Sequence, residues 1–264
     1  MSHARACIAC NFAPPRRLPI PYRPPGTAPI SRRMSKLPTA PGSTAVAAFL
    51  QQVASLPARP ASHRPGRLVM AIDATASRQP TWDRACQLQG EMFAATRALG
   101  GLLIRLAYFR GFEEFAATPF LADAGELTRR MTGIACLGGQ TQIGRVFQHA
   151  LAETKRDRVH ALILIGDAVE EPLDPLCHQA GQLGLHGTPI FAFHEGGDPR
   201  ARDAFRQFAK LSGGAYAPFD SASAATLAEL LRAVAVYAAG GRAALAQLPG
   251  QAARRIAGQL PAPG

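Results

Sequence analysis

Three short segments of this 264-residue chain concentrate oxygen-bearing side chains in a way that suits ligand chemistry. Asp73-Ala74-Thr75-Ala76-Ser77 offers one carboxylate and two hydroxyls at alternate positions of a single loop. Gly138-Gly139-Gln140-Thr141 sets a hydroxyl behind a flexible glycine pair, and the apolar run that begins at Ala161 ends in Asp167. Hard oxygen donors with no His or Cys among them suit Mg2+ or Mn2+ rather than zinc. Each segment also has a plainer reading. Asp73 can simply close a strand, Thr75 and Ser77 can be ordinary loop hydroxyls, Thr141 can cap a helix starting at Gln142, and Asp167 can open a solvated acidic turn with Glu170 and Glu171. Joint placement is what favours a metal site.

That placement depends on the elements that carry the segments. From Arg67 onward, short and nearly continuous apolar runs alternate with longer amphipathic stretches, the pattern of βα units around a parallel sheet. Strands are expected at 68–73, 102–109, 161–167, 189–194 and 215–218, and 113–117 follows Gly111 closely enough to be the return strand of a hairpin. Helices are expected at 82–99, 124–131, 142–154, 175–185, 199–211 and 224–237. The fold class is therefore α/β: a doubly wound, mostly parallel sheet with one antiparallel edge strand, helices on both faces, and strands buried on both sides. In such sheets ligands gather at the carboxyl ends of the strands, where Asp73 and Asp167 fall.

The D-x-T-x-S segment, the threonine behind a Gly-rich loop and the Asp closing a hydrophobic strand together resemble the metal-ion-dependent adhesion site of von Willebrand factor type A domains. The usual first motif is D-x-S-x-S; Thr75 departs from it and keeps the hydroxyl. The likeness spans roughly Arg67 to Tyr237, and the segments around Trp82 to Gly101 and His194 to Pro199 look like those of a bacterial subgroup. The resemblance implies that Asp73, Thr75, Ser77, Thr141 and Asp167 hold Mg2+ (or Mn2+), directly or through water. It also implies a non-enzymatic binding module whose protein partner presents Asp or Glu to complete the coordination shell, within assemblies that include ATPase-linked ones.

Competing chemistries find less support. A phosphoryl-transfer enzyme of the haloacid dehalogenase type needs a second Asp where Thr75 stands, Asp73-Ala-Thr-Ala-Ser-Arg78 has none of the glycines of a dinucleotide-binding turn, and no G-x-S-x-G elbow occurs. The charge of the chain, +11 overall, divides unevenly: ten of the 29 Lys and Arg and none of the 18 acids lie in residues 1–67, leaving 19 basic against 18 acidic residues in the rest. An adaptor that grips nucleic acid or an anionic surface through this basic leader is the remaining alternative; no specific nucleic-acid partner is expected of the domain. No run approaches the roughly 20 apolar residues of a membrane span, and five scattered cysteines fit a reducing, cytoplasmic setting.

Residues 1–33, with seven prolines, are expected to be disordered, with Met34 as an alternative start and Cys7-x-x-Cys10 as an unstructured thiol pair. Residues 34–66 read as a short helix and a linker, 67–240 as the domain, and 241–264 as a flexible Ala/Gly/Pro-rich tail with little to pack. His194, Glu195 and Asp198 are expected on a rim loop, and Trp82 in packing at a helix entry.

Overall fold

The structure, a computed structural model, describes residues 64–220 and 224–262. The leader, its cysteine pair and the helix expected near residue 50 lie outside the described residues. Six strands form one sheet: β1 (Gly66–Asp73), β2 (Leu102–Arg110), β3 (Glu114–Ala117), β4 (Ala161–Gly166), β5 (Ile190–Glu195) and β6 (Ala215–Phe219), in the order β3-β2-β1-β4-β5-β6. All neighbours run parallel except β3, which returns antiparallel along β2 through a turn at Gly111, whose φ of 59° suits a residue without Cβ. The expected architecture stands, with strand bounds shifted by one or two residues.

Among the described residues seven α-helices surround the sheet: α1 (Gln79–Thr96), α2 (Ala124–Thr132), α3 (Ile143–Arg156), α4 (Leu173–Leu185), α5 (Pro199–Ser212), α6 (Ala224–Gln247) and α7 (Gln251–Ala257). They divide between the two faces by the two-residue period of the strands. On β1, Leu68, Met70 and Ile72 pack with Trp82 and Met92 of α1, Leu127 of α2 and Leu230, Leu231 and Val234 of α6. Val69 and Ala71, one step out of phase, pack with Val146 and Phe147 of α3, Leu176 of α4 and Phe205 and Phe208 of α5. Apolar residues on both sides of every central strand explain the unbroken runs in the sequence. Trp82 is buried in the first core, where its indole N–H donates to the Met131 carbonyl at 3.1 Å and its ring stands edge-on to Tyr108.

The tail is a correction. Instead of a flexible 241–264, α6 runs past Tyr237 to Gln247, interrupted at Gly241 (φ 68°), and α7 folds back so that Leu245, Ile256 and Leu260 are buried in the same core as Ile72. Alanines give such a segment little apolar signal, yet small residues let its turns pack closely: a Cβ on Gly240 would overlap that of Ala244. Trimming one methyl with Ile256→Val is therefore expected to cost about 0.5–1.5 kcal/mol in thermal or urea unfolding. An unchanged midpoint would return the segment to a loose tail.

The free edge of β6 is closed. Tyr216 directs both its backbone groups away from β5, and Pro218, two residues on, falls on the same side. The Tyr216 N–H donates to Gln259 Oε1 at 2.8 Å and its carbonyl accepts from Gln259 Nε2 at 3.0 Å, so one side-chain amide takes the place of a neighbouring strand. Pro218 has no N–H to offer, and the Gly214 N–H is already bound to the Ala209 carbonyl at 2.8 Å.

Candidate metal centre

Because the sheet reverses direction of winding at β1, the carboxyl ends of β1 and β4 diverge into a crevice. Asp73 closes β1, and its Oδ1 accepts the Thr75 N–H at 2.7 Å, which bends the chain into a 3-10 turn at Ala76–Arg78. Thr75 Oγ1 and Ser77 Oγ stand 3.4 Å apart, and Ser77 Oγ donates to Asp167 Oδ2 at 3.2 Å across the end of β4. Asp73, Thr75, Ser77, Thr141 and Asp167, the five residues singled out in the sequence, line one cleft of about 260 Å³ together with Gly138, Gly139 and Glu170.

Thr141 reaches this cleft differently from expectation. It does not cap the helix: α3 begins at Ile143, Gln142 occupies the cap position without a side-chain hydrogen bond, and the Glu171 carboxylate arrives from the next loop to accept the N–H groups of Ile143 (2.6 Å) and Gly144 (2.8 Å). Thr141 instead exchanges two bonds with Glu170, its N–H donating to Oε2 at 2.7 Å and its Oγ1 accepting the Glu170 N–H at 3.0 Å. The acidic pair that reads as a solvated turn thus fastens the threonine loop to the Asp167 loop. On the other side, Gly139 lies so close to the hairpin that a Cβ would overlap the Gly111 carbonyl, which also accepts the Gln140 N–H at 3.0 Å. Arg145 Nη1 adds a bond to the Glu113 carbonyl at 2.5 Å.

The electrostatics are set by burial. Asp73 is 1% exposed, and its carboxyl is pushed up to about 6, first by loss of solvent and then by the charge of Asp167; the bonds from Thr75 and the charge of Arg78 pull it down by less. Arg78 is the residue that sequence reasoning missed. Buried at the end of the 3-10 turn, it holds Asp167 Oδ2 with Nε at 3.3 Å and the Glu195 carboxylate with Nη1, while the Thr81 hydroxyl also donates to Glu195. Glu195 is no rim residue: it ends β5 and is buried. The rule that picked Asp73 and Asp167, an acid closing a parallel strand, also picks Glu195, but its partner lies 117 residues away and no local pattern reveals it. Asp198 caps α5 through the N–H groups of Arg200 and Ala201, and His194 packs between Phe205 and Tyr216.

The donor set fits a hard divalent cation. Two carboxylates and three hydroxyls supply oxygen only, and among the described residues no three His, Cys, Asp or Glu side chains gather as a softer site.

Sequence comparison finds no matching family model and no matching curated protein. Comparison of folds does find similar structures. The vWF domain of the type V pili tip protein Mfa5 from Porphyromonas gingivalis superposes with a TM-score of 0.53 at 12% identity, over 71% of this chain and 98% of that domain. The SpRpn10 VWA domain gives 0.50 at 12% identity, over 62% and 95%. Proximal thread matrix protein 1 from the mussel byssus, solved with a zinc-occupied MIDAS motif, gives 0.51 at 14% identity over 65% of this chain and 48% of its own, so the match spans about half of the mussel protein. At these identities the likeness establishes architecture: with the strand order above it shows that the described residues adopt the fold of von Willebrand factor type A domains.

Proposed function

We propose that this domain is a divalent-metal-dependent protein-binding module, not an enzyme. The observation that carries the reading is the convergence of Asp73, Thr75, Ser77, Thr141 and Asp167, from three separated segments, on one cleft at the carboxyl ends of the strands. These residues would hold Mg2+ (or Mn2+), which when bound supplies a divalent charge and a coordination position for an Asp or Glu of a partner protein. The chain's own contribution is orientation. Thr75 N–H fixes one oxygen of Asp73, Glu170 fixes Thr141, and the Ser77 hydroxyl donates to Asp167, so the donors are set before any ion arrives. A zinc-occupied MIDAS motif in the mussel protein, which shares this fold, supports metal binding by a domain of this kind. The cytoplasm suits the three described cysteines, all free thiols, and among the described residues no helix is long and apolar enough to cross a membrane. An ATPase-linked assembly is the proposed setting for the partner.

The test is a thermal melt of the full chain in EDTA and with Mg2+ or Mn2+, beside Thr141→Val. At 100 times its dissociation constant an ion bound only to the folded state adds about 2.7 kcal/mol, or about 5–10 °C for a domain of this size. The wild type is expected to gain this and Thr141→Val, isosteric but without the oxygen, to gain little. Equal gains in both proteins, or no gain in the wild type, overturn the reading.

A further inference from the structure

A second cleft lies along the closed edge of β6, between α5 and α7, and shares no residue with the metal cleft. Its volume is about 600 Å³, within the range of small-ligand sites, and three of its five polar side chains are cationic: Arg206 and Lys210 from α5 and Arg255 from α7, beside Tyr216 and Gln259. None of the three makes an ion pair among the described residues. Arg202, one turn before Arg206 on the same helical stripe, pairs only with its neighbour Asp203 at 3.2 Å. Like charges spaced four apart on a helix, 202, 206 and 210, oppose folding rather than aid it. Nor does the cluster reflect a basic domain, since residues 68–264 carry 19 basic against 18 acidic side chains.

One of these cations, Arg206, also rests on a ring of the cleft wall. The Arg206 guanidinium sits 5.1 Å from the centre of the Tyr216 ring. Burial raises the Tyr216 phenol, the charges of Arg206, Arg202 and Arg255 pull it back, and that of Asp203 pushes it up. Backbone recognition is unavailable here, because Gln259 and Pro218 have closed the strand edge. An occupant must therefore be read by side chains, and those side chains are forks and point charges suited to oxyanions.

We infer that this cleft binds a compact, polyvalent oxyanion, of the diphosphate class, bridged between Arg206 and Lys210 on one wall and Arg255 on the other. The walls of Ala209, Pro218 and Pro261 give the site an apolar rim that suits an organic group carrying the anion.

Inorganic pyrophosphate is the probe. Titrated in EDTA at fixed ionic strength into the 15N-labelled full chain, it is expected to give saturable shifts at the amides of Gly213, Gly214 and Gln259, with a dissociation constant below 1 mM, unchanged in Asp73→Asn. Arg206→Ala and Arg255→Ala are each expected to weaken binding about tenfold or more, as expected for loss of a charge-assisted contact; Lys210→Gln serves should either variant unfold. Shifts linear in pyrophosphate, shifts confined to other residues such as those of the basic leader, or affinities indifferent to all three substitutions would overturn the proposal.

Discussion

Asp73→Asn is expected to stabilise the metal-free domain at neutral pH and to abolish its response to Mg2+. In the folded state the buried Asp73 carboxyl is raised from 3.8 to about 6. A raised acid favours the protonated form, so its contribution to stability is present below the ordinary pKa and is lost as pH rises through about 6. Above pH 7 the ionised group costs up to about 3 kcal/mol. Asparagine keeps the oxygen that accepts the Thr75 N–H and carries no charge to desolvate. In EDTA at pH 8 the variant is expected to melt higher than the wild type by several degrees, the gap narrowing below pH 6 and closing towards pH 4. In Mg2+ only the wild type should gain. A variant that melts lower at pH 8, or that keeps the metal response, contradicts the assignment of Asp73 as a ligand held in a desolvated cleft.

Removing Arg78 is expected to have the largest effect on stability of any substitution near the site. Its guanidinium is the cation for Glu195, and both side chains are more than 90% buried. Arg78→Met leaves the Glu195 carboxylate without its counter-charge and is expected to cost about 3–5 kcal/mol. The double variant Arg78→Met with Glu195→Gln should recover most of that, because a neutral amide can still accept from the Thr81 hydroxyl. Arg78 also faces Asp167 at 3.3 Å, so its positive charge opposes a divalent ion in the adjoining cleft. The double variant is thus expected to show a larger Mg2+-induced shift than the wild type. Equal stability of the single variant in urea titrations would remove the ion pair from the account, and a smaller metal shift in the double variant would make Arg78 a supporting group rather than a competing one.

The parts legible in the sequence were those governed by local periodicity. Strands buried on two faces appear as unbroken apolar runs, such as Leu162–Ile165, and acids that close them announce the crevice, which is why Asp73 and Asp167 could be named from spacing alone. What stayed hidden depends on pairs far apart in the chain. Glu195 and Arg78 meet across β5 and the 3-10 turn, and Glu171 caps a helix that begins 28 residues before it. Thr141 looked like the cap because its type and position fit that role; the structure uses it to meet Glu170 and leaves the cap to a residue from another loop. Residues 241–264 read as a tail because alanine and glycine carry little apolar signal singly, while together they permit close packing such as that of Gly240 on Ala244.

The bracket between the hairpin turn and the threonine loop has a kinetic meaning. With backbone against backbone at Gly111 and Gly139, and Arg145 tied to Glu113, the loop that carries Thr141 cannot swing open without moving β2 and β3 as well. The conformational entropy of ordering that loop is spent when the chain folds, not when an ion or a partner docks. Capture at such a pre-organised cleft needs no prior rearrangement, so encounter and desolvation set its rate.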